Sequence, residues 1–563
     1  MAPEAGASAA GSSNDRRPLV DGDRRDILLA ALEALHAGRF ANAAALTGPF
    51  AIEADIEGRL LHGLARAGAG DTEAAALLLC RIAGETPQAL HPVQDFATLL
   101  SGQQRGREAE PLFRAALRLT PDEPRLLLAF GAFVAAWHRP EEAEAVLLQC
   151  LQVRPRDLST MNQLGIVKAA LGQTQQALGL FRDVVATNPA NHTAWANLGC
   201  ALANEGLFGD ALSSYHRAIR LRPNEAQIRL NHSICLLKAG RMTQGWAEHE
   251  WRLALPGHTD LPRERMLPNL SSLRDLSGRT VLVTQEEGLG DSLMYLRYVP
   301  LLARRGAKMV LWVPEALRRL AARVEGVAEV LSGDVPRIGF DWHCPFISLP
   351  RAFSGTPEAF GQPAPYLQAD PDRVAAMRAL LPPPVSPAAS LAPRRIGLAW
   401  GGAPRSHDPV AAGIDRRRSI GLAALAPLAA LGGVEWVSLQ KGPYEAELDA
   451  PPPGLAIRNP MPQVRDLDDT AGLMMGLDLI VTVDTAVVHL AGALGRPTIL
   501  LDRWDNCWRW LHGREDSPWY PTVRIIRQSR PGDWSGVVER LLPMLAARNA
   551  EARRACLKTP DAG

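Results

Sequence analysis

The sequence predicts an all-α superhelix of helical hairpins followed by an α/β region with two doubly wound lobes. Three observations carry this. Pro87, Pro121, Pro155, Pro189 and Pro223 stand 34 residues apart through the first half. Beyond about residue 262, short apolar runs alternate with helical segments, the pattern of βαβ units. A proline-rich passage at 380–393, LLPPPVSPAASLAP, then divides that second region into stretches of comparable size. A chain of 563 residues exceeds one ordinary core, so several domains are expected. With 47% hydrophobic and 21% charged residues the composition excludes a largely disordered chain. Lys+Arg 61 against Asp+Glu 60 argues against a whole-protein electrostatic grip on nucleic acid or an anionic membrane.

Residues 1–25 read as a disordered leader, without the positive start and apolar core of a secretory signal. Helical repeats follow over 26–256. Two further columns run in phase with the prolines. One holds Ala75, Ala109, Ala143, Ala177 and Ala211, and the other Gly63, Ala97, Gly131, Gly165, Gly199 and Ser233. Small residues at both columns let paired helices approach closely, and the proline ends the second helix because it lacks an N–H. This pattern resembles the tetratricopeptide repeat, in six or seven copies with atypical end copies. Such a superhelix offers a groove for a protein or peptide partner. The alternatives are a scaffold for its neighbour or self-association.

In the second region Thr280–Val283, Met309–Val313, Ile396–Trp400, Trp436–Leu439, Leu479–Val483 and Thr498–Leu501 read as buried parallel strands, with helices over Ser292–Arg305 and Thr485–Gly495. The expected lobes are 263–380 and 394–548, joined by a connector at 381–393, with a closing helix before a tail at 549–563. A ligand cleft is expected between the lobes. Seven scattered cysteines without a CxxC pair argue against a disulfide framework or structural zinc, and for a reducing, cytoplasmic setting. The long apolar stretch Ala471–Leu501 contains Asp478, Asp484, His489 and Arg496, which speaks against a membrane span.

Three motifs carry chemistry. In 280–300, TVLVTQEEGLGDSLMYLRYVP, a strand meets a Gly288-Leu289-Gly290 turn, where glycine allows left-handed backbone and close ligand approach. A helix starts near Asp291, which faces the cleft or serves as an N-cap. In 477–501 a buried strand delivers Asp484, Thr485 and Ala486 to a helix start, where free N–H groups favour a phosphate or diphosphate. His489, one turn in, donates to a ligand or is a satisfied buried residue. In 397–422 a basic loop carries Arg416, Arg417 and Arg418 ahead of Ser419 at an expected helix start. Arg418 and Ser419 would clamp phosphate oxygens, whereas Arg416 and Arg417 read as solvated. Lys441 follows the strand ending SLQ and is expected to face the cleft.

Together, GLGD, VDTAVVHLAGALGRP at 483–497, WRWLHGREDSPWYPTVRIIRQ at 508–528, FDWHCPFISLP at 340–350 and PAPYL at 363–367 resemble GT-B glycosyltransferases of family 9, the heptosyltransferase-like group, over roughly 275–545. The order of repeats before a GT-B region is also similar to that of protein O-GlcNAc transferases. The resemblance implies an inverting, metal-independent transfer from a nucleotide sugar, with no cofactor beyond that co-substrate. It implies Asp291 as general base, and a donor site of Gly288, Gly290, Arg418, Ser419, Lys441, Asp484, Thr485, Ala486 and His489. Trp508, Trp510, Arg514 and Trp519 would shape the donor pocket or simply pack. Cys507 departs from the acidic residue that relatives commonly place before WRW, and PRSHDPVAAG lengthens the arginine loop. The competing expectation is a non-catalytic tetratricopeptide scaffold whose GT-B region only binds nucleotide sugar.

Overall fold

The computed structural model describes residues 21–50, 56–85, 97–98, 100–101, 105–257, 261–286, 288–334, 338–381, 394–405 and 409–558. It divides into two compact units, Met1–Leu164 and Gly165–Gly563, so the division falls inside the repeats and not at their end near residue 256.

The first unit is helical. It contains Asp21–His36, Phe40–Thr47, Ile56–Gly68, Thr72–Glu85, Gly106–Leu119, Pro124–Ala136 and Pro140–Val153, and ends within Leu158–Ala170. The first helix starts at Asp21, inside the stretch expected to be a leader, and residues 1–20 lie outside the described ones. The columns have a direct physical cause. Ala75, Ala109 and Ala143 are fully buried. A Cβ on Gly63 would meet Leu79 at 2.7 Å and one on Gly131 would meet Leu147 at 2.6 Å, in each case 16 residues on, in the paired helix. Pro121 and Pro155 each stand two residues beyond a helix end.

The second unit opens with the later repeats. Gly165 faces Phe181 and Gly199 faces Tyr215 in the same 16-residue relation. Ser233 keeps the relation with a polar pair, its hydroxyl 2.9 Å from His249 Nδ1. The helices are Thr174–Thr187, His192–Asn204, Phe208–Leu221, Ala226–Lys238 and Met242–His249, closed by a 3-10 turn at Glu250–Ala254.

Two parallel sheets follow. The first holds β1 (Thr280–Thr284), β2 (Lys308–Trp312), β3 (Val327–Leu331) and β4 (Trp342–Pro345) in the order β3-β2-β1-β4. The second holds β5 (Arg394–Ala399), β6 (Val434–Ser438), β7 (Ile457–Arg458), β8 (Leu479–Val483), β9 (Thr498–Asp502) and β10 (Val523–Arg527) in the order β10-β9-β8-β5-β6-β7. In the second sheet the chain proceeds outward from β5 on one side and returns to β8 on the other, so the strand order reverses between β5 and β8, the kind of switch point where such sheets bind ligands. The expected helix over Ser292–Arg305 is two helices, Leu289–Tyr295 and Val299–Arg304, separated by a 3-10 turn at Leu296–Tyr298. Pro300 cannot give an N–H to the Leu296 carbonyl, so the ladder breaks there. The closing helix Trp534–Lys558 extends well into the expected tail, and most of the proline-rich connector, 382–393, lies outside the described residues.

Candidate active site

Two short helices bring the main motifs together. After β1, Gly288 (φ −70°, ψ 166°) is the N-cap of Leu289–Tyr295, with Asp291 in the first turn. Neither Gly288 nor Gly290 adopts the left-handed backbone expected of the turn. Gly290 is required for a different reason. A Cβ there would stand 2.8 Å from His489 Cδ2 and 3.5 Å from Ala486 Cα, so this glycine lets the helix lie directly on Ala486–Ala493. Asp291 does not cap its helix, because its carboxylate is ion-paired with Arg509.

β8 ends at Val483, and Thr485 caps Ala486–Ala493 by accepting from Val487 N at 3.3 Å. The Val487 and Val488 N–H groups are thus taken up by Thr485, and the helix start at Ala486 lies just beyond the carboxyl end of β8. Arg418 reaches the same place: its Nη1 donates to the Asp484 carbonyl at 3.1 Å, and its Nη2 pairs with buried Asp415 at 2.8 Å. His489 is buried, its ring stacked on Trp510 at 5.3 Å and its Nδ1 3.1 Å from the Tyr520 hydroxyl. Burial pushes its pKa down to about 4, so it is neutral at pH 7 and its 4.0 Å approach to Asp484 is not an ion pair. Its Nδ1 is therefore engaged within the fold.

Two expected contacts are arranged differently. The arginine segment is the helix Pro409–Arg418, and Ser419 follows its end instead of starting a helix. The Ser419 hydroxyl is already engaged, donating to the Asp415 carbonyl at 2.8 Å and accepting from Gly402 N at 3.1 Å. It thus holds the loop after β5 in shape. Lys441 Nζ donates to the Met461 carbonyl at 2.8 Å. Trp508, Trp510 and Trp519 are buried packing residues, and Arg514 forms an exposed pair with Asp516 at 2.7 Å.

Several residues that shape this region were not evident from spacing. Gln440 accepts from the N–H groups of Trp400 and Gly401, both at 2.9 Å, bracing the loop after β5. Arg509 stands between two tryptophans in WRW, its only sequence signal. Its guanidinium lies 4.5 Å from the Trp508 ring centroid and its Nη1 is 2.7 Å from Cys507 Sγ. Burial, with the nearby Asp484 charge, pushes the Cys507 thiol up to about 12, which keeps it protonated at neutral pH.

The last repeats contribute too. Buried Lys238 donates to Asn204 Oδ1 at 3.0 Å and to the Asp505 carbonyl at 3.4 Å. Trp246 packs edge-on against Trp508 at 4.9 Å and Tyr295 at 6.2 Å. Arg252 pairs with Glu286, just before the GLGD turn, at 2.7 Å, with both side chains only 2% exposed. Arg252 also bonds Ser348 at 2.7 Å and Glu250 at 2.9 Å. Among the described residues no group of three or more His, Cys, Asp or Glu side chains is arranged to hold a metal ion, and no helix is long and apolar enough to cross a membrane.

Residues 162–226 and 197–245 match the tetratricopeptide repeat, and residues 456–526 match glycosyltransferase family 9 (heptosyltransferase). The chain is 29% identical over 344 residues to protein FlbA of Caulobacter vibrioides, covering 57% of this chain. It spans 55% of the length of that relative. Among solved structures it is similar to the Escherichia coli ADP-heptose LPS heptosyltransferase II, with 17% identity, 48% of this chain and 99% of that one covered, and a TM-score of 0.35. It is also similar to YrrB, a tetratricopeptide protein with an unusual peptide-binding site, at 22% identity, 32% and 93% coverage and a TM-score of 0.25.

Proposed function

We propose that this chain, which joins tetratricopeptide repeats to a glycosyltransferase family 9 region, is an inverting glycosyltransferase that works without a bound metal. It moves a sugar from a nucleotide-sugar donor to an acceptor recruited by the repeats, a protein or a surface-glycan precursor. Asp291 takes the proton of an acceptor hydroxyl, and that oxygen attacks the anomeric carbon from the face opposite the leaving group. The bond from the anomeric carbon to the diphosphate oxygen breaks, and negative charge collects on the departing nucleoside diphosphate. The N–H groups at Thr485 and Ala486 and the Arg418 guanidinium meet that charge with fixed dipoles and a cation. Four free cysteines that are at least partly buried (Cys150, Cys235, Cys344 and Cys507) suit a cytoplasmic setting.

One observation carries the reading. Gly290 seats the helix bearing Asp291 on the first turn of Ala486–Ala493, so the candidate base adjoins the candidate diphosphate site. The test is incubation of the purified chain with a panel of nucleotide sugars, following both melting temperature and free nucleotide. The reading expects one donor to raise the melting temperature and to release nucleotide. A second reading, a scaffold that binds nucleotide sugar without turnover, draws on the ion pair that occupies Asp291. Stabilisation by a donor with no nucleotide released under any acceptor condition favours it.

A further inference from the structure

We propose that Arg509 is a diphosphate-binding residue of the donor site, and that its exchange between Asp291 and the donor makes the base available only after the donor has bound. This rests on the glycosyltransferase reading above. Arg509 belongs to the turn Trp508–Trp510 and its Nη2 is paired with Asp291 Oδ1. The two side chains are 14% and 17% exposed, so the pair is only partly screened by water. It also lies beside the helix start assigned to the diphosphate. A Cβ on Gly290, next to Asp291, would come within 3.5 Å of Ala486 Cα, and Cys507, which Arg509 contacts, senses the charge of Asp484.

A diphosphate carries more charge than one carboxylate and matches the guanidinium fork with several oxygens. When it arrives beside Ala486, it competes with Asp291 for the same N–H groups and wins. Arg509 then screens the leaving group, and Asp291, no longer paired with a cation, becomes the stronger base towards the acceptor hydroxyl. An acceptor that enters first meets a carboxylate still paired with a cation. Donor-first binding follows from the competition.

Competition is reciprocal: whatever Asp291 contributes to holding Arg509 is withheld from the diphosphate. Neutralising Asp291 should therefore tighten anion binding, although it abolishes the base. The experiment is calorimetric titration of the full chain with inorganic pyrophosphate, with melting curves to verify that each variant is folded. Asp291→Asn is expected to bind about threefold to tenfold more tightly than the parent, the range of a partly buried ion pair. Arg509→Gln is expected to bind at least about tenfold more weakly, with Arg509→Lys between it and the parent. The double variant should match Arg509→Gln alone. Unchanged or weaker binding by Asp291→Asn overturns the exchange. So does equal tightening in the Arg509→Gln background, which would mean a general charge effect that bypasses Arg509. Pyrophosphate that fails to bind the parent chain removes the donor site itself, and this inference with it.

Discussion

His489 and Asp502 set opposite acid responses in one small region. Burial lowers the His489 pKa to about 4, well under its ordinary 6.5. The unfolded chain therefore takes the proton first, and the stability that His489 supplies above pH 6.5 is lost as pH falls towards 4, about 3 kcal/mol in all. Asp502 has the other sign. Burial raises its carboxyl to about 6 despite the 2.9 Å pair with Arg527, so the native state takes the proton first. Its contribution is largest in acid and is lost as pH rises through 6. Unfolding midpoints measured from pH 4 to pH 7 should show a shallower acid loss for His489→Gln than for the parent, and a steeper one for Asp502→Asn. Parallel curves for all three proteins would mean that neither group titrates as its burial dictates. His489 was legible in the sequence as a candidate, but its role was not. Its environment comes from Trp510 and Tyr520, about 20 and 30 positions away, which no local spacing brings together.

Elements with a fixed repeat or full burial were legible, and edge elements were not. The 34-residue columns gave the hairpins because each small residue answers to a large one 16 positions on. The buried runs gave β1, β2, β5, β6, β8 and β9. β3 escaped because it is an edge strand with two exposed residues in five, and β10 because Arg524 and Arg527 leave only Ile525 and Ile526 as an uninterrupted apolar pair. β7 is only two residues long. The columns also expose a flaw in one hairpin. Gly172, Gly206 and Gly240 have φ between 74° and 76°, whereas His138, 34 residues before Gly172, has φ 61°. A side chain in that left-handed position costs about 1 kcal/mol or more. His138→Gly should raise the midpoint of the first unit's unfolding in urea, and a lower midpoint would show that the imidazole earns its place by contact. Gly290 is the reverse case. Gly290→Ala places a methyl 2.8 Å from His489, whose ring is stacked on Trp510 and held edge-on by Tyr520. It should destabilise by about 1–3 kcal/mol through overpacking, visible as a lower melting midpoint. An unchanged midpoint would mean that the two helices separate freely.

At the scale of the molecule, the last repeats and the two lobes share one compact unit, although the sequence suggested a boundary near residue 256. Side chains from the repeats explain this. Trp246 packs on Trp508 and Tyr295, Arg252 is buried against Glu286, and Lys238 is buried against the Asp505 carbonyl. These repeats therefore share one framework with the GLGD turn and the helix Ala486–Ala493. The near balance of charge fits the proposed anion site, which is a helix start with a few arginines and not a basic surface. The role of Asp291 is tested most directly by the rate of sugar transfer by the parent chain and by Asp291→Asn with the donor that the panel identifies. If Asp291 is the base, transfer by the variant falls about 10²–10⁴-fold with the donor still bound. Transfer at the parent rate by Asp291→Asn would contradict it.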